Sequence, residues 1–134
     1  MNASPYAITI LNAFTATAFP IPVTVWNVPP DPNAQPPIAG TPEDVTGWQF
    51  MFTMKKNLDD SDAAALYKDD TQIGGTNGQV TWTIPATVTA SMEAKFNYYW
   101  DVRIIVPGKP GPNQLLRGTI FLEQSVGQRT VLGS

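Results

Sequence analysis

The side chains with the clearest capacity for chemistry are carboxylates. Asp59, Asp60 and Asp62 crowd around Ser61, and Asp69 and Asp70 follow soon after. Clustered carboxylates can hold Ca2+ through oxygen ligands. The spacing matches no EF-hand loop, whose sixth-position glycine and twelfth-position glutamate are missing, and a solvated loop with Asx turns is the plainer expectation. A Ca2+-dependent adhesin module would rest on Asp59 to Asp62 alone. Glycosidase chemistry needs two acids across a cleft. Asp101 is the acid inside a strong strand pattern, and Glu123 is the acid in the last strand. Asp101 shares its face with Arg103, as on a solvated outer face, and nothing assigns the two acids opposed roles. The chain has no His and no Cys. Ser-His-Asp and Cys-His catalysis, disulfides and Cys/His zinc sites are therefore excluded. The expectation is a protein that is not an enzyme and has no cofactor or metal.

Aromatic side chains are the next candidates. Trp48, Trp82 and Trp100 fall on the apolar faces of their strands, which assigns them to the core. Trp26, Tyr99 and Phe121 fall out of phase with the apolar positions around them. Outward aromatics mark protein interfaces or platforms for stacking sugars. With Asp101 or Asn97 as polar partners, Trp26, Tyr99 and Phe121 could hold a glycan. Coplanar aromatics beside carboxylates would favour sugar, and aromatics spread around an apolar patch would favour a protein partner.

The elements that must position these groups are strands. Alternation predicts strands over Tyr6 to Phe14, Phe19 to Val28, Gly47 to Lys56, Val80 to Ile84, Asn97 to Val106 and Gln114 to Val126. Pro20 and Pro22 place the second at an edge, or delay its start until after Pro22. Ala63 to Lys68 reads as a helical turn capped by Asp62 or, preferably, a strand from Ala65 to Asp69. Thr87 to Ala94 could form one or two helical turns with Thr87 or Thr89 as the cap. In the last strand Leu116, Ile120 and Leu122 share a face, and Gly118 signals a bulge or a close backbone approach. Between Pro29 and Pro42 lie six prolines, including Pro29, Pro30, Pro36 and Pro37, which make a long extended loop suited to contacting a neighbour. Residues 127–134 form a short polar tail. The fold expected is all-β: a single domain over 1–134, a two-sheet antiparallel β-sandwich of about seven strands, immunoglobulin-like, with at most a short helical turn.

Composition narrows the partners. The 134 residues carry 8 basic and 11 acidic side chains, a net charge of −3. Scattered basic residues on an acidic chain make a poor nucleic-acid binder. No run approaches the ~20 apolar residues of a membrane span. No Lys or Arg precedes Lys55, so the basic region that opens a signal peptide is missing. Charged residues are only 14% of the chain, and charge-poor, aromatic surfaces suit a subunit buried in an assembly.

Three stretches in order resemble a β-sandwich domain of tailed-bacteriophage virion proteins, as in the N-terminal domain of baseplate upper proteins and related tail components. They are PEDVTGWQFMFTMKKNLDDSDAAALYK (Pro42 to Lys68), NGQVTWTIPATVTASM (Asn77 to Met92) and FNYYWDVRIIVPGKPGPNQLLRGTIFLEQSV (Phe96 to Val126). The shared features are an aromatic strand ending in Lys and an Asp-rich loop, an NG-x-V strand, the Tyr99-Trp100-Asp101-Val102 strand and a Gly-containing last strand. The Pro-rich loop departs from the short linker usual there, and the chain ends where baseplate upper proteins continue into fibre-forming regions. The resemblance implies a non-catalytic virion protein, a tail or baseplate adaptor or a capsid-surface decoration subunit. It would dock on other virion proteins and form a homo-oligomer. The alternative is a carbohydrate-binding β-sandwich that recognises a host cell-surface glycan.

Overall fold

A computed structural model describes residues 8–133. The strands run β1 (Ile8–Phe14), β2 (Phe19–Thr24), β3 (Trp26–Val28), β4 (Thr41–Pro42), β5 (Gln49–Lys55), β6 (Tyr67–Asp69), β7 (Gln79–Ile84), β8 (Phe96–Ile105) and β9 (Asn113–Glu123). One short helix, α1 (Ala86–Ala90), links β7 to β8. Tyr6, the expected start of the first strand, lies outside the described residues.

The protein is built of sheets, as the alternation predicts. Five strands form one curled sheet in the order β1-β9-β8-β5-β6, and β2 pairs with β7 in a separate ribbon. The division is uneven, and the pairing is not wholly antiparallel, because β1 runs parallel to β9. No local pattern could announce that pairing, which joins strands at opposite ends of the chain. Alternation decides which face is inside. Phe50, Phe52 and Met54 of β5 are buried, as are Tyr98, Trp100, Val102 and Ile104 of β8. Trp82 of β7 lies edge-on to Phe50 at 6.1 Å and stacks on Phe52 at 5.4 Å, which sets the ribbon against the inner face of the large sheet. Phe52 also stacks on Trp100 at 5.8 Å. Trp48, Trp82 and Trp100 are all core residues.

Two of the free strand edges, those of β2 and β6, are blunt. Pro20 and Pro22 of β2 pair with Thr83 and Thr81 of β7. The Tyr67 hydroxyl donates to the Thr83 carbonyl, so that carbonyl points away from β2. Thr83 and Pro20 are thus a non-hydrogen-bonded pair, and Thr81 and Pro22, two residues along, are another. Both prolines turn their missing N–H toward the open side, which is the edge position expected for them. At the far side of the large sheet, β6 is only three residues long and carries Lys68 and Asp69.

Several local expectations need correction. Over Asp62–Ala64 the chain makes a 3-10 turn preceded by Ser61, with no side-chain cap, and β6 begins at Tyr67 rather than Ala65. Neither Thr87 nor Thr89 caps α1, which follows Pro85. Thr89 is buried instead, where its hydroxyl donates to the Thr17 carbonyl at 2.9 Å and accepts from the Thr17 N–H at 3.0 Å. In β9 Ile120 and Leu122 are buried as expected, but Leu116 is only partly buried and Leu115 is buried instead. A register shift opposite Val102 and Arg103 skips Leu115, so the bulge lies three residues from Gly118 rather than at it.

Candidate functional site

Register builds a cleft on the outer face of the large sheet. Thr53 of β5 lies opposite Asp101 of β8, which lies opposite Arg117 of β9. In the next row Lys55, Tyr99 and Thr119 align in the same way. These six side chains share the face that points away from the core, because residues two apart in a strand point the same way. They line a cleft of ≈ 440 Å³, joined by Met51, Arg103 and Gln114, with Leu58 and Asp62 over one end. That volume lies within the range of small-ligand sites, roughly 300–1,000 Å³.

The loop after β5 forms the end wall. The Lys55 ammonium bonds the Asp62 carboxylate at 2.7 Å and donates to the Asp60 carbonyl at 2.8 Å. Lys55 thereby holds the Asp62 carboxyl below its ordinary range. An Asp60 carboxylate oxygen reaches back to accept the Asn57 N–H, the reverse of the Asx turn expected. Asp60 and Asp62 are thus occupied in shaping the loop. Among the described residues no three acidic groups converge as metal ligands.

Asp101 behaves differently from the solvated outer residue expected. It is half-buried, and burial pushes its carboxyl up, with Asp62 adding to this while Arg103 and Lys55 oppose it. Among the described residues the Asp101 carboxylate accepts no hydrogen bond and closes no ion pair. Arg103 donates to the Pro112 carbonyl at 3.3 Å. Glu123 is not its partner acid. It lies six residues beyond Arg117 on β9, roughly 20 Å at ~3.3 Å per residue, far outside the ~5–9.5 Å of a glycosidase pair.

The predicted site residues separate into two places. Tyr99 and Asp101 are in the cleft. Phe121, half-buried, is on the same face of β9, two residues beyond Thr119 and opposite Asn97. Trp26 belongs elsewhere, on the hairpin after β2, where β3 pairs with β4. That hairpin orders the Pro-rich stretch, with Asp31 bridged to Ile38 and Pro29, Pro30, Pro36 and Pro37 all exposed. Gly40, at φ +87°, lets the returning chain approach. A Cβ there would lie 2.8 Å from the Pro30 nitrogen and 3.1 Å from the Trp26 ring. Trp26 is half-buried under this loop.

Sequence reasoning missed Thr53, Lys55, Thr119 and Arg117. Each reads alone as an ordinary outward residue, and only strand register gathers them. The chain matches no protein-family model and no curated protein.

Proposed function

We propose that the chain is a non-catalytic docking module of a tailed-phage virion. In this reading it is an immunoglobulin-like sandwich with a reduced second sheet, a tail or baseplate adaptor or a capsid-surface decoration subunit, held by other virion proteins and by copies of itself. The virion part rests on the three resembling stretches between Pro42 and Val126. The docking part rests on the hairpin of 26–42. It carries a single charged residue, Asp31, and displays Val28, Pro29, Pro30, Pro36, Pro37 and Ile38 to solvent. Its backbone is already paired, so a partner meets an apolar surface that loses little further freedom on binding.

The test is a charge placed on that surface. Val28→Asp with Ile38→Asp should convert an oligomer to a monomer in sedimentation velocity, with the near-UV circular dichroism unchanged. A wild-type monomer that also binds none of the products of the genes beside its own would overturn the proposal.

A second reading has its own observation. Tyr99 and Asp101 lie in one cleft, a single outward aromatic beside a carboxylate, without the Trp26 and Phe121 rings that the expected stacking platform would add. The cleft would then recognise a saccharide of the host surface without cleaving it.

A further inference from the structure

We infer that the cleft over β5, β8 and β9 selects an acidic saccharide, a sugar unit bearing a carboxylate. This rests on the saccharide reading of the cleft and adds the charge of the ligand. Three cationic side chains, Lys55, Arg103 and Arg117, line the cleft against two acidic ones, Asp62 and Asp101. The site is therefore locally positive on a chain whose net charge is −3. Lys55 and Asp62 satisfy each other at the end wall. Asp101 and Arg117 do not. They lie directly opposite in register, yet among the described residues no ion pair joins them and neither makes a side-chain hydrogen bond; Arg103 and Lys55 favour the charge of half-buried Asp101, and Arg117 is exposed.

An occupant of the cleft can therefore answer two groups at once. Asp101, half-buried and acceptor-only when ionised, calls for hydrogen-bond donors. Arg117 calls for an anionic acceptor, and Arg103 stands beside it with its guanidinium steadied by the Pro112 carbonyl. A simple anion would answer Arg117 and be repelled by Asp101. A neutral sugar would answer Asp101 and leave Arg117 unmatched. A sugar carboxylate beside ring hydroxyls answers both. Thr53 and Thr119 add hydroxyls flanking the pair, and Tyr99 offers an aromatic face to the ring.

The experiment is calorimetric titration of the whole chain with oligogalacturonate, with the neutral galactose oligomer of equal length, with a short poly-glutamate peptide and with inorganic phosphate. Saturable binding of oligogalacturonate alone is expected. Arg117→Gln and Asp101→Asn should each weaken it by about tenfold or more, as for loss of a charge-assisted hydrogen bond. Both positions face outward, and an unchanged thermal midpoint for Arg117→Gln would confirm that its fold is intact. Equal binding of the neutral oligomer, or no response to Arg117→Gln, overturns the charge selectivity while the saccharide reading stands. No binding of either sugar overturns both. Binding of poly-glutamate or phosphate at equal strength overturns the saccharide in favour of a simple anion site.

Discussion

Phe52 joins the large sheet to the β2–β7 ribbon through Trp82, and truncating it tests the description of the core. It is fully buried and touches three rings: Trp82 at 5.4 Å, Trp100 at 5.8 Å and Tyr67 at 6.0 Å. Phe52→Ala removes the whole ring from a fully buried site among three others and leaves a cavity that Met54, on the same face of β5, can fill only in part. The cost should fall within the range for such truncations, about 3–5 kcal/mol. Phe52→Leu keeps most of the volume and loses only ring–ring geometry. At ~0.5–1.5 kcal/mol per aromatic pair, with neighbours that do not add independently, about 2 kcal/mol should be lost. A domain of this size has roughly 7–20 kcal/mol to lose, so both variants remain folded. Urea unfolding followed by tryptophan fluorescence reads the difference. With a slope of ~2 kcal/mol per molar, the midpoint should fall by about 2 M for Ala and 1 M for Leu. A loss below about 2 kcal/mol for Phe52→Ala, or a Phe52→Leu variant within ~0.5 kcal/mol of wild type, would refute the reasoning.

Asp101→Asn should stabilise the fold at neutral pH while weakening ligand binding. Burial raises the folded-state carboxyl above its ordinary 3.8, so the charged form is the strained one above the folded value. Below 3.8 both folded and unfolded chains are protonated there, and the gain over wild type should vanish; denaturation midpoints from pH 3 to 7 show this. Thr89→Val keeps the volume but strips the Thr17 N–H and carbonyl of their partner, for a loss of about 1–3 kcal/mol, whereas Thr89→Ser should retain most of the stability in the same melts. Gly78→Ala should cost more than about 1 kcal/mol by urea unfolding. At φ +68°, its Cβ would come within 2.7 Å of the Val25 carbonyl oxygen and 2.9 Å of that of Glu43.

Strand faces were legible because period-two alternation reports directly on burial. Trp48, Trp82 and Trp100 followed from it, as did the outward positions of Tyr99 and Asp101. The cleft was not legible as a unit. It depends on which residue of β5 and β9 stands opposite each residue of β8, and register across a sheet leaves no local mark. Asp101 shows the difference: its outward position was clear, but its half-burial arises from side chains on two other strands. Leu115 defeated the alternation because one extra residue in β9 flips the faces on either side of it. Trp26 was rightly separated from the core stripe, but its cover by Pro30 and Gly40 comes from a loop that closes back on it.

The blunt edges constrain how copies of this chain can join. A strand offered to β2 finds prolines where it needs donors, and one offered to β6 finds three residues and two charges. Growth by backbone pairing, the route to cross-β fibres, is thus closed on these two sides. If copies of the chain meet at the proline hairpin, as proposed, that contact runs through side chains on a patch of limited area. Side-chain contacts of that size release and re-form more readily than a shared backbone ladder, so an assembly of the proposed kind would let a misplaced copy leave instead of trapping it.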